Sequence, residues 1–138
     1  ILNSYITKYM TIFGKNFTVQ FDETFDIELK GLQKRGLGYY SLSQGEKKRV
    51  DLAILLAFLE LTRRKNSINT NIIIFDEILD SSLDTEGIEN FISILKDKIR
   101  EGKIDNVKII SHNKELSVPD ATKLEIYKEN GFSKIRRE

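Results

Sequence analysis

Cysteine is absent from this chain, which excludes disulfide staples and thiolate chemistry and fits a reducing compartment. Proline is nearly absent: Pro119 alone leaves few forced breaks. No apolar run approaches the roughly 20 residues of a membrane span, and no signal peptide is visible in this stretch. Charge of one sign is lacking as well. A formal net charge of +1 gives no global argument for a nucleic-acid partner. Internal repeats and low-complexity tracts are missing. The chain opens on Ile1 rather than methionine, so it is expected to be a piece of something longer, or processed. What is present is 138 residues, 40% hydrophobic and 31% charged, the composition of one soluble domain with one core.

Hydrophobic spacing orders the chain. Leu2, Ile6, Tyr9 and Phe13 recur at helical intervals, and Gly14 supplies a stop, so residues 1–14 are expected to form a helix. It reads either as a short amphipathic helix or as the end of a coiled-coil arm. In FTVQFDETFDIEL, Phe17, Val19 and Phe21 alternate with polar residues, and Phe25, Ile27 and Leu29 do so after an acidic turn. This predicts a β-hairpin with one buried face. Residues 30–40 are glycine-rich and basic and read as a loop. A long helix follows, about Glu46 to Arg64, with Val50, Ala53, Ile54, Ala57, Phe58 and Leu61 as its buried stripe. Ile72 to Phe75 is a continuous apolar run, expected to be a strand covered on both faces. Residues 85–100 predict a second amphipathic helix, with Ile88, Phe91, Ile92, Leu95 and Ile99 inward and Asp84 as N-cap. Val107 to Ser111 predicts another buried strand, and KLEIYKENGFSKI a hairpin turning at Asn130-Gly131. The middle of the chain is therefore α/β with parallel strands. Both central strands end in the residues of most chemical interest, at the sheet edge where such folds bind ligands.

Four short stretches carry that interest. In SLSQGEKKRV, Ser43 and Glu46 have the spacing of a capping box. The same helix N-terminus would attract phosphate, and Gly45 lets a backbone amide approach an anion. The capping box would occupy the glutamate, so the two readings are compatible. Asp76 and Glu77 follow a buried strand. Adjacent carboxylates there can divide labour, one holding hydrated Mg²⁺, the next orienting and deprotonating a water. Ser82-Leu83-Asp84 precedes a helix, and His112, the only histidine, ends the second strand.

Taken together, the order LSQGE, long helix, IIIFDE, SSLD, helix, IISH resembles the C-terminal half of an ABC-type ATPase head over about residues 17–136. LSQGE is similar to the family's signature motif, IIIFDE to its Walker B strand, SSLD to its D-loop, and His112 to its switch histidine. EKKRVDLAILLAF is similar to the SMC-like DNA-repair ATPases, including the bacterial SbcC type and the phage recombination-nuclease ATPase subunit. Gln44 departs from the usual glycine pair, and Ile78 stands where transport cassettes often have proline. The resemblance implies a coiled-coil stub at 1–14 and a C-terminal ATPase lobe at 15–138. It implies that Ser43 and Gly45 contact nucleotide held by an opposite head, and that Asp76 holds Mg²⁺ through water. Glu77 and His112 would be catalytic, and Asp84 would couple the two sites. ATP and Mg²⁺ are the implied cofactors. The implied partners are an N-terminal P-loop lobe, a second head in a homodimer, a nuclease subunit and double-stranded DNA. No membrane partner is implied; the implied location is cytoplasmic, near the nucleoid or in a host cell if the gene is a phage's.

One motif is missing. No G-x-x-x-x-G-K-[ST] occurs: Asn16 follows Gly14-Lys15, and Tyr9 stands in the first glycine's place. Without that phosphate cradle, the chain alone is expected not to hydrolyse ATP. Two other readings stay open at this level. One is a lobe of another ABC ATPase, for chromosome condensation or transport. The other is a non-catalytic DNA-binding or scaffolding module using Lys34, Arg35, Lys47, Lys48 and Arg49, a set that also suits a solvated helix face.

Overall fold

A computed structural model describes residues 1–31, 38–66, 72–79, 82–113 and 116–137. Helix α1 spans Leu2–Ile12 and buries Ile6, Tyr9 and Met10. Gly14, at φ +68°, ends it: the Lys15 amide donates back to the Met10 carbonyl at 3.1 Å. A bond over that interval with a left-handed glycine is a Schellman stop. Strands β1 (Thr18–Phe21) and β2 (Ile27–Lys30) pair antiparallel. Asn3 of α1 clamps this hairpin, donating to the Phe21 carbonyl at 3.0 Å and accepting from its amide at 2.9 Å. Phe17 and Val19 are buried as expected, but Phe25 and Ile27 are exposed. The turn carries Phe25 outward, beyond the reach of the core.

Helix α2 spans Gln44–Asn66, about a turn longer in total than the spacing predicted. Its buried residues include Arg49, Val50, Leu52, Ala53, Leu56 and Ala57, whereas Phe58 is 40% exposed. The predicted stripe missed Leu52 and Leu56 because it assumed one covered face. In the structure α2 lies between neighbours, bonded to α1 through Tyr9 and Glu60 and to α3 (Thr85–Arg100) through Glu60 and Lys98. Each fully buried leucine contributes about 1.5–3 kcal/mol relative to exposure. On α3, Phe91, Ile92 and Leu95 are buried as expected. Ile99 is exposed, and Ile94 and Lys98 are buried in its stead.

Strands β3 (Ile72–Asp76) and β4 (Asn106–Ile110) form a parallel pair in register, Ile72 opposite Asn106 through Asp76 opposite Ile110. One face packs Ile73, Phe75, Val107 and Ile109 onto the core, where the rings of Phe75 and Phe91 meet edge to face. The other face is bare: Ile72, Ile74 and Ile110 are 44%, 57% and 49% exposed. The expectation of a strand covered on both faces is therefore met on one face only. Within the described residues this sheet has just two strands and cover on one side. Strands β5 (Leu124–Glu129) and β6 (Phe132–Arg137) pair across Asn130 (φ +51°) and Gly131 (φ +82°), the tight turn the sequence predicted. Among the described residues no helix is long and apolar enough to cross a membrane.

Candidate functional site

The parallel pairing of β3 and β4 puts both strand ends on one edge. The Glu77 amide donates to the Ile110 carbonyl at 2.9 Å, extending the ladder one residue past β3. Glu77 itself is left-handed, with φ +52°. A non-glycine residue held there costs on the order of 1–3 kcal/mol, a cost that clusters at functional positions. Its Oε1 lies 2.7 Å from His112 Nε2, and both side chains stay largely exposed. Asp76 is exposed beside them. The chain thus brings an acidic pair and its single histidine together from strands 35 residues apart. Such an arrangement can position a water and exchange a proton with it.

A second cluster forms where the N-termini of α2 and α3 converge. Ser43 and Glu46 make the capping box the spacing predicted. The Ser43 amide and hydroxyl donate to Glu46 Oε2 at 2.9 and 2.8 Å, and the Glu46 amide donates to Ser43 Oγ at 3.3 Å. Those bonds hold the Glu46 carboxyl below its usual range, the backbone amide foremost and the hydroxyl next. Asp84 caps α3, accepting from the Gly87 amide at 2.8 Å. The same Oδ1 accepts from Arg49 Nη2 at 2.5 Å. The Arg49 hydrogen bond, then the Gly87 amide, holds the Asp84 carboxyl low. Gly45 sits close by: a Cβ there would lie 2.9 Å from the Ser82 carbonyl oxygen. The glycine is therefore needed for packing against the 82–84 segment, whatever else it contacts.

The basic turn divides. Lys47 and Lys48 are half-buried at the surface. Arg49 turns inward, 5% exposed, with its charge committed to Asp84. Lys34 and Arg35 lie outside the described residues, as does Ser81 of the SSLD stretch. The Arg49–Asp84 pair was not foreseen. Its one sequence signal is Gly87, a poor helix former in the first turn of α3, which implies a close neighbour.

Elsewhere, a buried polar network ties the helices. Glu60 Oε1 accepts from Lys98 Nζ at 2.7 Å and from the Tyr9 hydroxyl at 3.1 Å, and Lys103 Nζ stands 3.7 Å away. Burial alone would push the Glu60 carboxyl up; the Lys98 hydrogen bond and charge outweigh it, leaving it below the usual range.

Two parallel strands with flanking helices, a capped turn, an acidic pair at the strand end and a histidine on the next strand make up the fold of the C-terminal lobe of an SMC head, the class of protein that the sequence resembles. It is similar to Exonuclease subunit 2 of Escherichia phage RB69, 33% identical over 112 residues, and to that of Enterobacteria phage T4, 32% identical over 112. Each match takes in 81% of this chain but only 19% of the relative, so the chain spans about a fifth of those proteins' length. No family model matches. The fold is shared with a structure from work on ATP-driven dimerization and DNA-stimulated activation of SMC ATPases (TM-score 0.74, 17% identity, 99% of this chain and 83% of that one). It is also shared with an SMC head domain from Thermotoga maritima (TM-score 0.66, 22% identity, 98% and 46%). A third likeness is an SMC head bound to the C-winged helix domain of ScpA (TM-score 0.71, 18% identity, 99% and 42%).

Proposed function

We propose that this chain is the C-terminal lobe of an ATP-hydrolysing DNA repair or recombination ATPase that works with a nuclease subunit. Residues 1–14 are the end of a coiled-coil arm and 15–138 the ATPase lobe. The observation that carries the reading is the Glu77–His112 contact at 2.7 Å on the edge that Asp76 also occupies. Glu77 is the base that orients and deprotonates the attacking water. His112, bonded to Glu77, fixes that carboxylate and senses the terminal phosphate. Ser43 and Gly45, at the capped turn of α2, meet the phosphate of a nucleotide bound by a second head. Asp84 couples the two sites.

The described residues hold no group of three or more potential metal ligands. A single exposed carboxylate ligand such as Asp76, beside Glu77, fits a cation that keeps most of its water and takes further oxygens from substrate phosphates, as Mg²⁺ does. Asp76 would hold it through water, and the ion would neutralise developing phosphate charge. The phosphate cradle belongs to an N-terminal P-loop lobe, the second head makes a homodimer, and double-stranded DNA is the surface on which the nuclease acts. Lys47 and Lys48 are the candidate DNA contacts. Head engagement on ATP moves the arms and regulates the nuclease.

The test is Glu77→Gln in the protein joined to its P-loop lobe. ATP binding should persist and turnover should fall about 10²–10⁴-fold, the worth of a positioned general base. Turnover near wild type would remove Glu77 from the role and, with it, this reading.

A further inference from the structure

Arg49 occupies a position that no exposed helix face would give it. Its guanidinium is buried between the first turns of α2 and α3, and its Nε has no hydrogen-bond partner. Desolvating a cation with one N–H unsatisfied costs free energy, so something in the packing holds it there. Two glycines open the slot. A Cβ on Gly45 would stand 3.6 Å from Nη1, and one on Gly87 3.3 Å from Nη2. The bond to Asp84 Oδ1, at 2.5 Å, closes it. Because Oδ1 also takes the Gly87 amide and the Asp84 side chain is 61% exposed, the other oxygen is directed away from the slot.

We infer that Arg49 is a positioning residue, locking Asp84 to the turn that carries Ser43 and Gly45. This rests on the ATPase reading above. Shifting Asp84 relative to Ser43 would break a part-buried charge-assisted bond and drive the Ser82 carbonyl against Gly45, 2.9 Å from where a Cβ would be. The turn that meets the opposite head's phosphate and the residue that couples the sites therefore move as one body. A contact made at Ser43 is delivered to Asp84 without an intervening hinge.

The experiment uses the full-length protein and compares Arg49→Met, which keeps the stem, Arg49→Lys, which keeps charge but loses the planar fork, Asp84→Asn, and the Arg49→Met/Asp84→Asn double variant. Nucleotide affinity, read with a fluorescent ATP analogue, should stay within about twofold, because Arg49 touches no bound nucleotide in this scheme. For Arg49→Met, kcat should fall by roughly 10²-fold, the scale of a misplaced catalytic element. Its ATP saturation curve should lose any sigmoidal character seen in wild type. Arg49→Lys should be intermediate, and the double variant no worse than Asp84→Asn alone, since both act through one contact. Wild-type kcat and curve shape in Arg49→Met, with only a lower melting temperature, would overturn the inference. So would defects that multiply in the double variant. If Arg49→Met does not fold, Arg49→Lys decides: lowered kcat at an unchanged melting temperature supports the lock, and wild-type kinetics overturn it. Normal turnover in Glu77→Gln would take down the ATPase reading and this inference together. An inactive Glu77→Gln beside a normal Arg49→Met would take down this inference alone.

Discussion

Replacing Lys98 by methionine tests how far the three helices depend on one buried charge. Lys98 is 7% exposed at its side chain and Glu60 11%, so each has surrendered most of its hydration. Methionine keeps the apolar stem, and the change removes the 2.7 Å bond to Glu60 and the cation 5.2 Å from the Tyr9 ring centroid. A buried carboxylate stripped of its only partner costs about 3–5 kcal/mol. Glu60 keeps the Tyr9 hydroxyl at 3.1 Å and Lys103 at 3.7 Å, so the lower end applies, about 3 kcal/mol. With a urea m-value of about 2 kcal/mol/M, the unfolding midpoint should fall by about 1.5 M. Far-UV circular dichroism on a dilute sample follows the helices directly. Adding Glu60→Gln removes the stranded charge while keeping the Tyr9 contact, and should recover the midpoint to within roughly 0.7 M of wild type. A Lys98→Met shift below about 0.5 M, or a double variant no better than the single, would refute the reasoning. Either result would mean that water or Lys103 already satisfies Glu60.

Three further outcomes follow from the site and the sheet. Ser43→Arg should block ATP-driven pairing of heads, seen by light scattering, more than ATP binding. Ser43→Ala removes the cap, about 0.5–2 kcal/mol, and the hydroxyl without adding bulk, so it should pair better than Ser43→Arg; equal pairing by the two variants would leave Ser43 as a cap alone. Glu46 and Asp84 both have folded pKa values below the unfolded ones, so their stabilisation is present above the unfolded carboxyl range and lost as pH falls through the folded values. Urea midpoints should therefore drop between about pH 5 and about pH 3, and drop less in Asp84→Asn. An equal drop would remove the Asp84 share. The chain by itself should neither hydrolyse ATP nor stay monomeric at high concentration. Ile74→Lys should reduce its self-association in sedimentation, and Glu77-dependent turnover by the isolated chain would end the split-ATPase reading.

Much of the architecture could be read from spacing. The order of elements, the capping box at Ser43 and Glu46, the cap at Asp84 and the Asn130-Gly131 turn are local, fixed by residues within a few positions of one another. The shared edge of Asp76, Glu77 and His112 was legible too, because parallel pairing puts like strand ends together. What stayed hidden depends on partners far along the chain. Arg49 meets Asp84 across 35 residues, and Lys98 meets Glu60 across 38. A lysine or arginine in a helical pattern reads as surface, and only a carboxylate arriving from another element makes its burial tolerable. The β3 face failed for a different reason. A continuous isoleucine run reports what a strand is suited to lie between, not what lies there within these residues; Ile74 is 57% exposed.

The two clusters differ in how finished they are. At the convergence of α2 and α3 the geometry is closed: Arg49 is buried, and each glycine contact leaves little room for a side chain. At the β3–β4 edge the geometry is set but the environment is not. Glu77 is placed by its ladder bond and its left-handed backbone, yet its side chain is 57% exposed and that of His112 is 79% exposed. In water-filled surroundings a charge interaction is worth about a quarter or less of what it is worth near a protein surface. A carboxylate there competes with bulk solvent for its hydrogen bonds. An edge of this kind gains force only when a second body excludes water from it. On the ATPase reading proposed above, that body would bring apolar cover for Ile72, Ile74 and Ile110 on the adjoining face and donors for phosphate at the edge. One lobe that held both would answer the two exposures at once, which is why the bare sheet and the open site are best understood as one surface.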